Sequence, residues 1–399
     1  MITVEEKPHD IVHTLNPVRY RLRLASPANR IMLTITANSF SWTGTYLSDA
    51  SGKVTFDISE ILHTLVFSND AENAAMVYAV NGLICPVKIN IRELATNSST
   101  VDETNHNINC LYGGVDSQTL RYLHSINTNI FEYRLFNHKK QFLFTTRTSS
   151  QTIRMRRSEL YPLYFFMPDT DITIASGLGN MLTISPGGNA GKLSALNLPV
   201  ISEQFFAQYG EVVSKFFIII DTICIFMITV LPDTPSVNRL ILRFRNSLGC
   251  YEQIEVTGKA EMEPEFEDEN SYNVYDDITG KFTENRFRRE YCDTIKASAG
   301  YKIPAELNFI RELLSSDEIY LIDKIGKIKV HVTSEQYSMV INPVEPQTVE
   351  LVIRYASKEN LVTPSLLDTE DFPYGRGFFD QGVLDAEGYA FFWSLVRTI

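Results

Sequence analysis

The longest apolar run of the chain limits what the fold can be. Residues 216–231 form a run of 16 residues rich in Phe and Ile, and Asp221 with Thr222 interrupts it near the middle. A transmembrane helix needs about 20 apolar residues with few charges, so this run is too short to span a bilayer. β-Branched residues on both sides of a polar pair instead predict two buried strands joined by a tight turn. We therefore expect a β-hairpin that turns at Asp221 and Thr222, and no membrane partner.

Elsewhere the sequence alternates between apolar and polar residues. The stretch 20–24 places Tyr and Leu between arginines, and the stretch 54–58 places Val, Phe and Ile between Thr and Asp. A period of two puts one set of side chains into a core and the other into solvent, as in a sheet with one wet face. The 24 Phe and 19 Tyr residues also favour β structure. For a chain of 399 residues we predict a mainly β fold of two or three β-sandwich-like domains with a few short helices.

Changes in composition predict how these domains divide the chain. Residues 96–109 lack periodicity and are dense in Ser, Thr and Asn, which indicates a linker or long loop. Pro304 opens a helix that has Leu307, Ile310 and Leu313 at helical spacing. The predicted segments are an N-terminal β-sandwich domain at 1–96, an irregular middle β region with loops at 97–210, a C-terminal β-sandwich-like domain with one helix near 304–314 at 211–360, and a C-terminal tail at 361–399.

The chain is acidic, with 36 Lys and Arg against 48 Asp and Glu and a net charge of −12. A surface built to grip nucleic acid or anionic lipid has the opposite sign, so the charge argues against nucleic acid as a partner. Acidic residues are densest in Glu261–Glu269, which we term the acidic segment. Like charges at that density repel one another, and burying them is costly. We expect a mobile acidic loop outside any core.

One stretch has the opposite charge. Between residues 134 and 157 there are seven basic side chains and no Asp or Glu, with phenylalanines interleaved. Basic and aromatic residues together can bind single-stranded nucleic acid, but the same pattern arises when strands point Phe inward and Arg outward. On an acidic protein such a strip more often meets an acidic strip on a partner subunit. The candidate partner-contact residues, termed the basic strip, are Arg134, Lys139, Lys140, Arg147, Arg154, Arg156 and Arg157.

A histidine pair near the N-terminus has the spacing of a zinc-protease motif. His9 and His13 are four residues apart, and the motif uses that spacing to place two imidazoles one helical turn apart. Ile11, Val12 and Pro17 favour an extended backbone instead, and no further His-rich segment supplies a third ligand. We interpret this segment as a polar N-terminal arm and predict no metal site.

A glycine-rich stretch resembles a phosphate-binding loop. Residues 187–192 end in Gly-Lys, but the spacing is one residue short and Leu193 occupies the position of the magnesium-binding hydroxyl. The chain also has no Gly-x-Ser-x-Gly nucleophile motif. We predict a turn here, and no catalytic residue, cofactor or enzymatic activity for the chain.

The cysteines and the N-terminus indicate where the chain folds. Five widely scattered cysteines form no Cys-x-x-Cys pair, which suggests neither a zinc ribbon nor a disulfide framework. The first ten residues lack a basic start followed by an apolar run, so they do not resemble a secretory signal. A reducing cytoplasm is the simplest interpretation.

Two longer stretches carry a family resemblance. Residues 240–258, with the sequence Asn-Ser-Leu-Gly-Cys-Tyr-Glu between two apolar strands, resemble a segment that recurs in uncharacterised phage and prophage proteins found among tail genes. Residues 310–322 are similar to a helix-then-strand element that follows it there. Softer matches extend the resemblance over most of the chain from 16 to about 360. Cys250 departs from the pattern, in which a second glycine is expected.

The resemblance implies a non-enzymatic virion or tail-module structural protein near the baseplate, made in the cytoplasm of a bacterial host and then located in the virion. Its implied partners are other tail or virion proteins and further copies of itself in a ring. The family has no assigned catalytic residues, so none can be transferred to this chain. The alternative from another class is a carbohydrate-binding or adhesion protein, because β-sandwiches with exposed aromatic residues also hold sugars. A hydrolase would need paired carboxylates whose pKa values are pushed apart.

Overall fold

The computed structural model describes residues 2–68, 70, 73–130, 143–147, 152–232, 239–267, 271–300, 302, 304–322, 326–334, 348–359 and 361. The protein is mainly β: of the described residues, 50% lie in strands and 14% in helices, and they form several multi-stranded sheets and short helices. The predicted fold class is confirmed. Within this part of the chain, no helix combines the length and the apolar character that a membrane crossing requires.

Backbone packing divides the chain into two compact units. The N-terminal unit takes in the described residues of 1–154, 161–230 and 245–251, and the C-terminal unit takes in 155–160, 231–244 and the described residues from 252 onward. The chain thus passes between the units more than once, whereas the sequence analysis divides it into consecutive segments.

The elements up to residue 231 belong largely to the N-terminal unit. In chain order they are β1 (Thr3–Glu6), β2 (Ile11–His13), β3 (Arg19–Arg23), β4 (Arg30–Ala37), β5 (Phe40–Leu47), β6 (Lys53–Asp57), α1 (Ser59–His63), β7 (Val77–Ala79), β8 (Ile84–Leu94), β9 (Thr100–Leu111), α2 (Ser117–Ser125), β10 (Thr152–Arg156), β11 (Leu163–Phe166), β12 (Ile172–Ser176), β13 (Met181–Ile184), β14 (Leu193–Leu196), α3 (Leu198–Tyr209), β15 (Lys215–Ile220) and β16 (Ile223–Leu231).

These strands form four sheets, whose strand orders are β1-β3-β6, β2-β9-β8-β4-β5, β11-β14-β7 and β10-β16-β15-β12-β13. Their inward residues are apolar. Tyr20 and Leu22 on β3 and Ile31, Leu33 and Ile35 on β4 are fully buried in one core. Alternation with exposed or half-buried residues on the same strands follows from the period of two.

The predicted hairpin at residues 216–231 is confirmed. β15 and β16 pair in antiparallel fashion, and Ile220 lies opposite Ile223 across the turn. Asp221 and Thr222 have positive φ angles of 47° and 69°. Positive φ at both central positions is the geometry of the two-residue turn that fits the twist of paired strands.

The loop predicted at residues 96–109 is wrong over most of its length. Residues 100–111 form β9, a 12-residue strand that pairs with β8 on one side and with β2 on the other. Its amide and acidic side chains are accommodated on the sheet face, where Asn90 of β8 donates hydrogen bonds to Glu103 and Asn105. Polar composition indicated a loop, but backbone pairing with β8 along the whole strand, and with β2 at residues 109–111, determines the strand.

The elements from residue 240 onward belong largely to the C-terminal unit. They are β17 (Leu240–Arg245), β18 (Tyr251–Val256), β19 (Ala260–Phe266), β20 (Ser271–Asp276), β21 (Lys281–Arg286), β22 (Tyr291–Ser298), α4 (Pro304–Ser315), β23 (Ile319–Ile322), β24 (Lys327–Thr333) and β25 (Glu350–Tyr355). Seven of these strands form one sheet in the order β18-β17-β23-β24-β25-β22-β19, and β20 pairs with β21 alone.

The core of the C-terminal unit lies between this sheet and α4. Leu307, Ile310 and Leu313 of α4 are buried in one cluster with Leu242 of β17 and Ile353 of β25. The residues that the sequence places at helical spacing therefore face the sheet, as the apolar face of an amphipathic helix should. Strand β25 is buried at alternate residues, which is the period of two expected of a strand with one face on the core.

The acidic segment is not the loop that the sequence predicted. Residues 260–266 form β19, the last strand of the seven-stranded sheet, and all but the first of its residues are exposed. Its position outside the core agrees with the prediction. The strand forms because cations on β22, on β25 and just outside these strands offset the repulsion between its glutamates.

The turn between β17 and β18 contains the departure at Cys250. Asn246 organises it, because its side-chain oxygen accepts hydrogen bonds from the N–H groups of Leu248 and Cys250 at 3.0 and 2.9 Å. Gly249 has a φ of +87°, which suits glycine and few other residues. Cys250 itself is buried, so the turn closes without a second glycine.

Candidate protein-interaction surface

A β-hairpin in the C-terminal unit is exposed on both faces. It consists of β20 and β21 with the following Phe287, and we term residues 271–287 the hairpin arm. In both strands every residue except Asp276 and Asn285 is exposed. Within the described chain, β20 and β21 pair only with each other. An isolated two-stranded hairpin is marginally stable in water, so an element this exposed is unusual in a folded unit.

The hairpin arm presents apolar side chains on each of its faces. The register places Tyr275 opposite Phe282, and their rings lie 5.2 Å apart near the tip. On the other face, the ring of Tyr272 lies 4.7 Å from that of Phe287. Phe282 is 71% exposed, and Ile278 at the tip is 96% exposed. Exposed apolar groups concentrated on one element mark an interaction site more often than isolated ones do.

The tip of the hairpin arm is held in a defined shape. Asp276 accepts hydrogen bonds from the N–H of Ile278 at 2.9 Å and from the hydroxyl of Thr279 at 2.7 Å. These bonds, the Thr279 hydroxyl first, lower the pKa of the Asp276 carboxyl. Gly280 completes the turn with a φ of +63° and donates its N–H to the carbonyl of Asp276. The exposed Ile278 is therefore presented by an ordered turn.

The acidic segment next to the hairpin arm is neutralised within its own unit. Each of its four described glutamates pairs with a Lys or Arg. Glu263 lies 2.8 Å from Lys296 of β22, and Glu265 lies 3.3 Å from Arg354 of β25. Glu261 pairs with Lys259, and Glu267 pairs with Lys358. The hydrogen bond from Lys259 lowers the pKa of Glu261, and the bond to Glu267 raises the pKa of Lys358.

The structure distributes the basic strip over both units. Arg134, Lys139 and Lys140 lie outside the described residues. Arg147 is buried and Arg154 is exposed, and both belong to the N-terminal unit. Arg156 and Arg157 are half-buried and belong to the C-terminal unit. The role of the basic strip in partner contact stays a prediction.

Arg156 takes part in a buried ionic cluster at the β18 end of the sheet. The Glu255 side chain has no exposed surface and lies between Arg239 and Arg156, with Nε to carboxylate oxygen distances of 2.5 and 3.4 Å. Lys302, also buried, donates a hydrogen bond of 2.8 Å to the carbonyl of Glu255. Glu159 accepts a hydrogen bond of 2.9 Å from the N–H of Glu255. Segment 156–160 therefore covers the outer edge of β18.

The two motifs with a chemical meaning do not assemble a site. His13 ends the short strand β2 and is buried, so His9 and His13 do not lie one helical turn apart. Burial lowers the pKa of His13 to about 4. Residues 187–189 form a 3₁₀ turn that leads into a strand rather than a helix. Among the described residues, no three His, Cys, Asp or Glu side chains could together hold a metal ion.

A small cavity in the N-terminal unit does not suggest a ligand either. It has a volume of about 20 Å³ and is lined by apolar residues of β11, β15 and β16 with their neighbours, among them Leu163, Phe165 and Ile218. A cavity without polar partners stays dry and is too small for an organic molecule.

The sequence analysis missed the residues of the hairpin arm. Tyr272 and Val274 alternate with the polar Ser271 and Asn273, a period of two that indicates a strand, and the stretch 276–280 ends in Thr-Gly, a turn signal. The signal was therefore present. The acidic segment directly before it drew attention to charge rather than to alternation.

Comparisons with known proteins add little about this surface. No protein-family model matches the sequence, and no curated protein matches it. Among solved structures, the chain is similar to the Plexin A4 full extracellular region, domains 1 to 10, with 7% sequence identity and a TM-score of 0.18. The similarity covers 90% of this chain and 34% of that chain, so this chain spans about a third of its length. A TM-score this low carries no argument about fold or function.

Proposed function

We propose that this chain is a non-enzymatic structural protein of a phage or prophage virion or tail, and that it acts by protein–protein assembly. In this proposal the hairpin arm docks on a neighbouring tail or virion protein. The sequence resemblance over residues 240–258 and 310–322 supplies the biological context. The exposed apolar side chains of the hairpin arm supply the physical reason for assembly.

The observation that carries the proposal is the exposure of Tyr275, Phe282 and Ile278 on an element that packs against no core. Burying an apolar side chain of this size stabilises a contact by about 1.5–3 kcal/mol. Tyr and Phe are enriched at the centres of protein interfaces, where they fill pockets on the partner. Docking would also stabilise the hairpin arm, whose side chains are mostly exposed in its own unit.

The test uses particles from the strain that carries the gene. The full chain is replaced by the double variant Tyr275→Ser/Phe282→Ser, particles are purified, and the protein is quantified by mass spectrometry against another virion protein. We expect the natural chain in the particles and at least about a ten-fold depletion of the variant, which corresponds to about 1.4 kcal/mol of lost contact energy. Labelled imaging of intact particles then locates the natural protein.

A matched control changes the same face of the hairpin arm without removing apolar surface. Asn273→Ser/Glu284→Gln alters two exposed polar residues that lie opposite each other, and it should be incorporated normally. If the natural protein is absent from particles, the proposal fails. Equal incorporation of the Tyr275/Phe282 variant would show that the hairpin arm is not the contact.

The alternative function is carbohydrate binding, and the exposed rings of Tyr272 and Tyr275 favour it over an enzymatic role. Aromatic rings at a surface can stack on sugar rings, and they need no catalytic group to do so. A glycan array with the intact chain distinguishes the two. Specific glycan binding that is lost in Tyr275→Ser, together with absence from particles, would replace assembly by adhesion.

A further inference from the structure

Strand β5 is the outermost strand of its sheet, and its outer edge has no partner strand within the described chain. It has eight residues, which makes it the longest described strand at the end of any sheet. The sequence Phe-Ser-Trp-Thr-Gly-Thr-Tyr-Leu contains no charged residue and no proline. Natural proteins protect exposed edge strands with charges, prolines, bulges or covering segments, and β5 has none of the first two.

The pairing register shows which backbone groups face the open edge. β4 and β5 are joined by the two-residue turn Asn38–Ser39, so Ala37 and Phe40 form the first hydrogen-bonded pair. Hydrogen-bonded pairs alternate along an antiparallel ladder. Ser41, Thr43, Thr45 and Leu47 therefore direct their N–H and C=O groups away from β4, and all four residues are exposed.

The inner face of β5 is incompletely covered. Phe40, Trp42, Gly44 and Tyr46 alternate with the exposed residues and are only half-buried, although Trp42 and Tyr46 pack against the core of the N-terminal unit. The ring of Trp42 occupies the space that a side chain at residue 44 would take. An additional strand beside β5 would place its own side chains next to these aromatic rings and bury them further.

We propose that a second copy of this chain adds its own β5 to this edge as an antiparallel strand, giving a dimer with a two-fold axis at Gly44. This register pairs Ser41 with Leu47 and Thr43 with Thr45 of the partner subunit, so all four outward residues of each copy make backbone hydrogen bonds. It also places Trp42 opposite Tyr46 of the partner subunit on the half-buried face. Cross-strand aromatic pairs of this kind stabilise sheets.

The lack of charge on β5 and its self-complementary register together favour a second copy as the occupant. Two-fold pairing of identical strands brings the same residues together, and a charged strand would therefore place like charges side by side. On β19 such pairing would bring glutamates against glutamates, and Pro264 removes a donor. The uncharged β5 has no such penalty. A two-fold contact also satisfies the β5 edges of both copies at once and leaves neither β5 open for further growth.

This inference rests on the proposed function, because it names a partner for an assembly protein, but it uses a different surface. The hairpin arm and β5 belong to different units. Variants of one leave the other intact, so the two proposals can fail separately.

The test measures the oligomeric state of the full chain by sedimentation velocity over a wide concentration range. Thr43→Pro removes an outward N–H without removing a hydrogen bond to β4, and proline is tolerated where the N–H of an edge strand faces solvent. We expect a dimer for the natural chain and at least about a ten-fold weaker dimer for Thr43→Pro, equivalent to about 1.4 kcal/mol. Thr45→Lys should have the same effect through charge.

The matched control is Thr34→Lys. Thr34 lies on β4 directly opposite Thr43, on the same face of the sheet but on an interior strand. Pairing at the edge leaves this variant dimeric, whereas a contact through the face of the sheet would lose the dimer. Trp42 fluorescence gives a second readout in a Trp393→Phe background, because the chain has only two tryptophans. Its emission should shift to shorter wavelength as the natural chain dimerises.

Three results would overturn the inference. The first is a monomer at every concentration, including a monomer whose β5 edge instead takes a strand from another protein. The second is a dimer that Thr43→Pro and Thr45→Lys leave unchanged. The third is a dimer that forms without any shift in the Trp42 emission.

Discussion

The two ends of the seven-stranded sheet are both protected against further strands, but by opposite means. At one end, segment 156–160 covers β18, and the Glu255 carboxylate is buried between two arginines. At the other end, β19 is exposed, and its glutamates pair with cations in solvent. Both ends use carboxylates and cations. Burial decides their energetic weight, because water screens an exposed pair and is absent from a buried one.

The largest effect is expected at the buried end. Glu255→Gln keeps the size of the fully buried side chain but removes its charge, which leaves the half-buried Arg239 and Arg156 without the carboxylate that neutralises them. Breaking a buried ion pair on one side costs about 3–5 kcal/mol. We expect the free energy of unfolding of the C-terminal unit to fall by this amount, so its transition in differential scanning calorimetry moves to lower temperature. The transition of the N-terminal unit should stay unchanged.

The same chemical change at the exposed end serves as the control. Glu263→Gln removes the charge of a residue paired with Lys296, whose side chain is about half exposed. If both substitutions shift the transition equally, burial does not govern these pairs and the comparison fails.

Acid should affect the N-terminal unit through one buried group. Burial holds the pKa of His13 at about 4 in the folded chain, against 6.5 in the unfolded chain. Between these values the unfolded chain binds more protons, so stability is fully present above pH 6.5 and falls as the pH approaches 4. The difference of 2.5 pKa units corresponds to about 3 kcal/mol.

The measurement is the free energy of unfolding of the N-terminal unit between pH 7 and pH 4 for the natural chain and for His13→Gln. The variant should lack the part of the pH dependence that His13 causes. His106, whose pKa burial also lowers, is present in both proteins, so it cancels from the difference. Parallel pH profiles for the two proteins would contradict the assignment to His13.

Glu159 attaches segment 156–160 to the outer edge of β18. Its two carboxylate oxygens accept hydrogen bonds of 2.9 Å from the N–H of Glu255 and the N–H of Arg156. Glu159→Ala removes both acceptors inside the unit, and unsatisfied buried donors cost about 1–3 kcal/mol. Hydrogen exchange at the Glu255 amide should accelerate in this variant. Glu159→Gln, which retains one acceptor oxygen, should recover part of the protection, and no recovery would indicate a role for charge alone.

The sequence predicted the elements whose signal is local. The hairpin at 216–231 and helix α4 follow from patterns within a single segment, namely two apolar runs around Asp221–Thr222 and helical spacing after Pro304. Strand β9 was missed because its residues are polar and its evidence lies in the backbone pairing with β8 and β2. Composition alone cannot reveal a partner strand.

The acidic segment shows the same limit for charge. From sequence, Glu263 and Glu265 have only acidic or apolar neighbours, which predicts repulsion and a loop. Their partners Lys296 and Arg354 are 33 and 89 residues away in the chain, and antiparallel pairing places β22 beside β19 and β25 beside β22. Repulsion along the strand is real, but cross-strand attraction outweighs it. Of the candidate surface, only this acidic part was noticed in the sequence.

The smallest effect is expected at the exposed end, for Glu265→Gln. The Glu265–Arg354 pair has side chains that are 55% and 45% exposed, and such pairs contribute about 0.2–1 kcal/mol. The variant should lower the calorimetric transition temperature of the C-terminal unit by less than Glu159→Ala does. Added salt should abolish the difference between the variant and the natural chain, because salt screens exposed charges. Glu255→Gln should keep most of its effect in the same salt, since the Glu255 carboxylate is shielded from the solvent. A salt-resistant loss of several kcal/mol in Glu265→Gln would show that β19 is covered in solution. Such a result would remove the contrast between the two ends of the sheet, because both would then depend on buried charge.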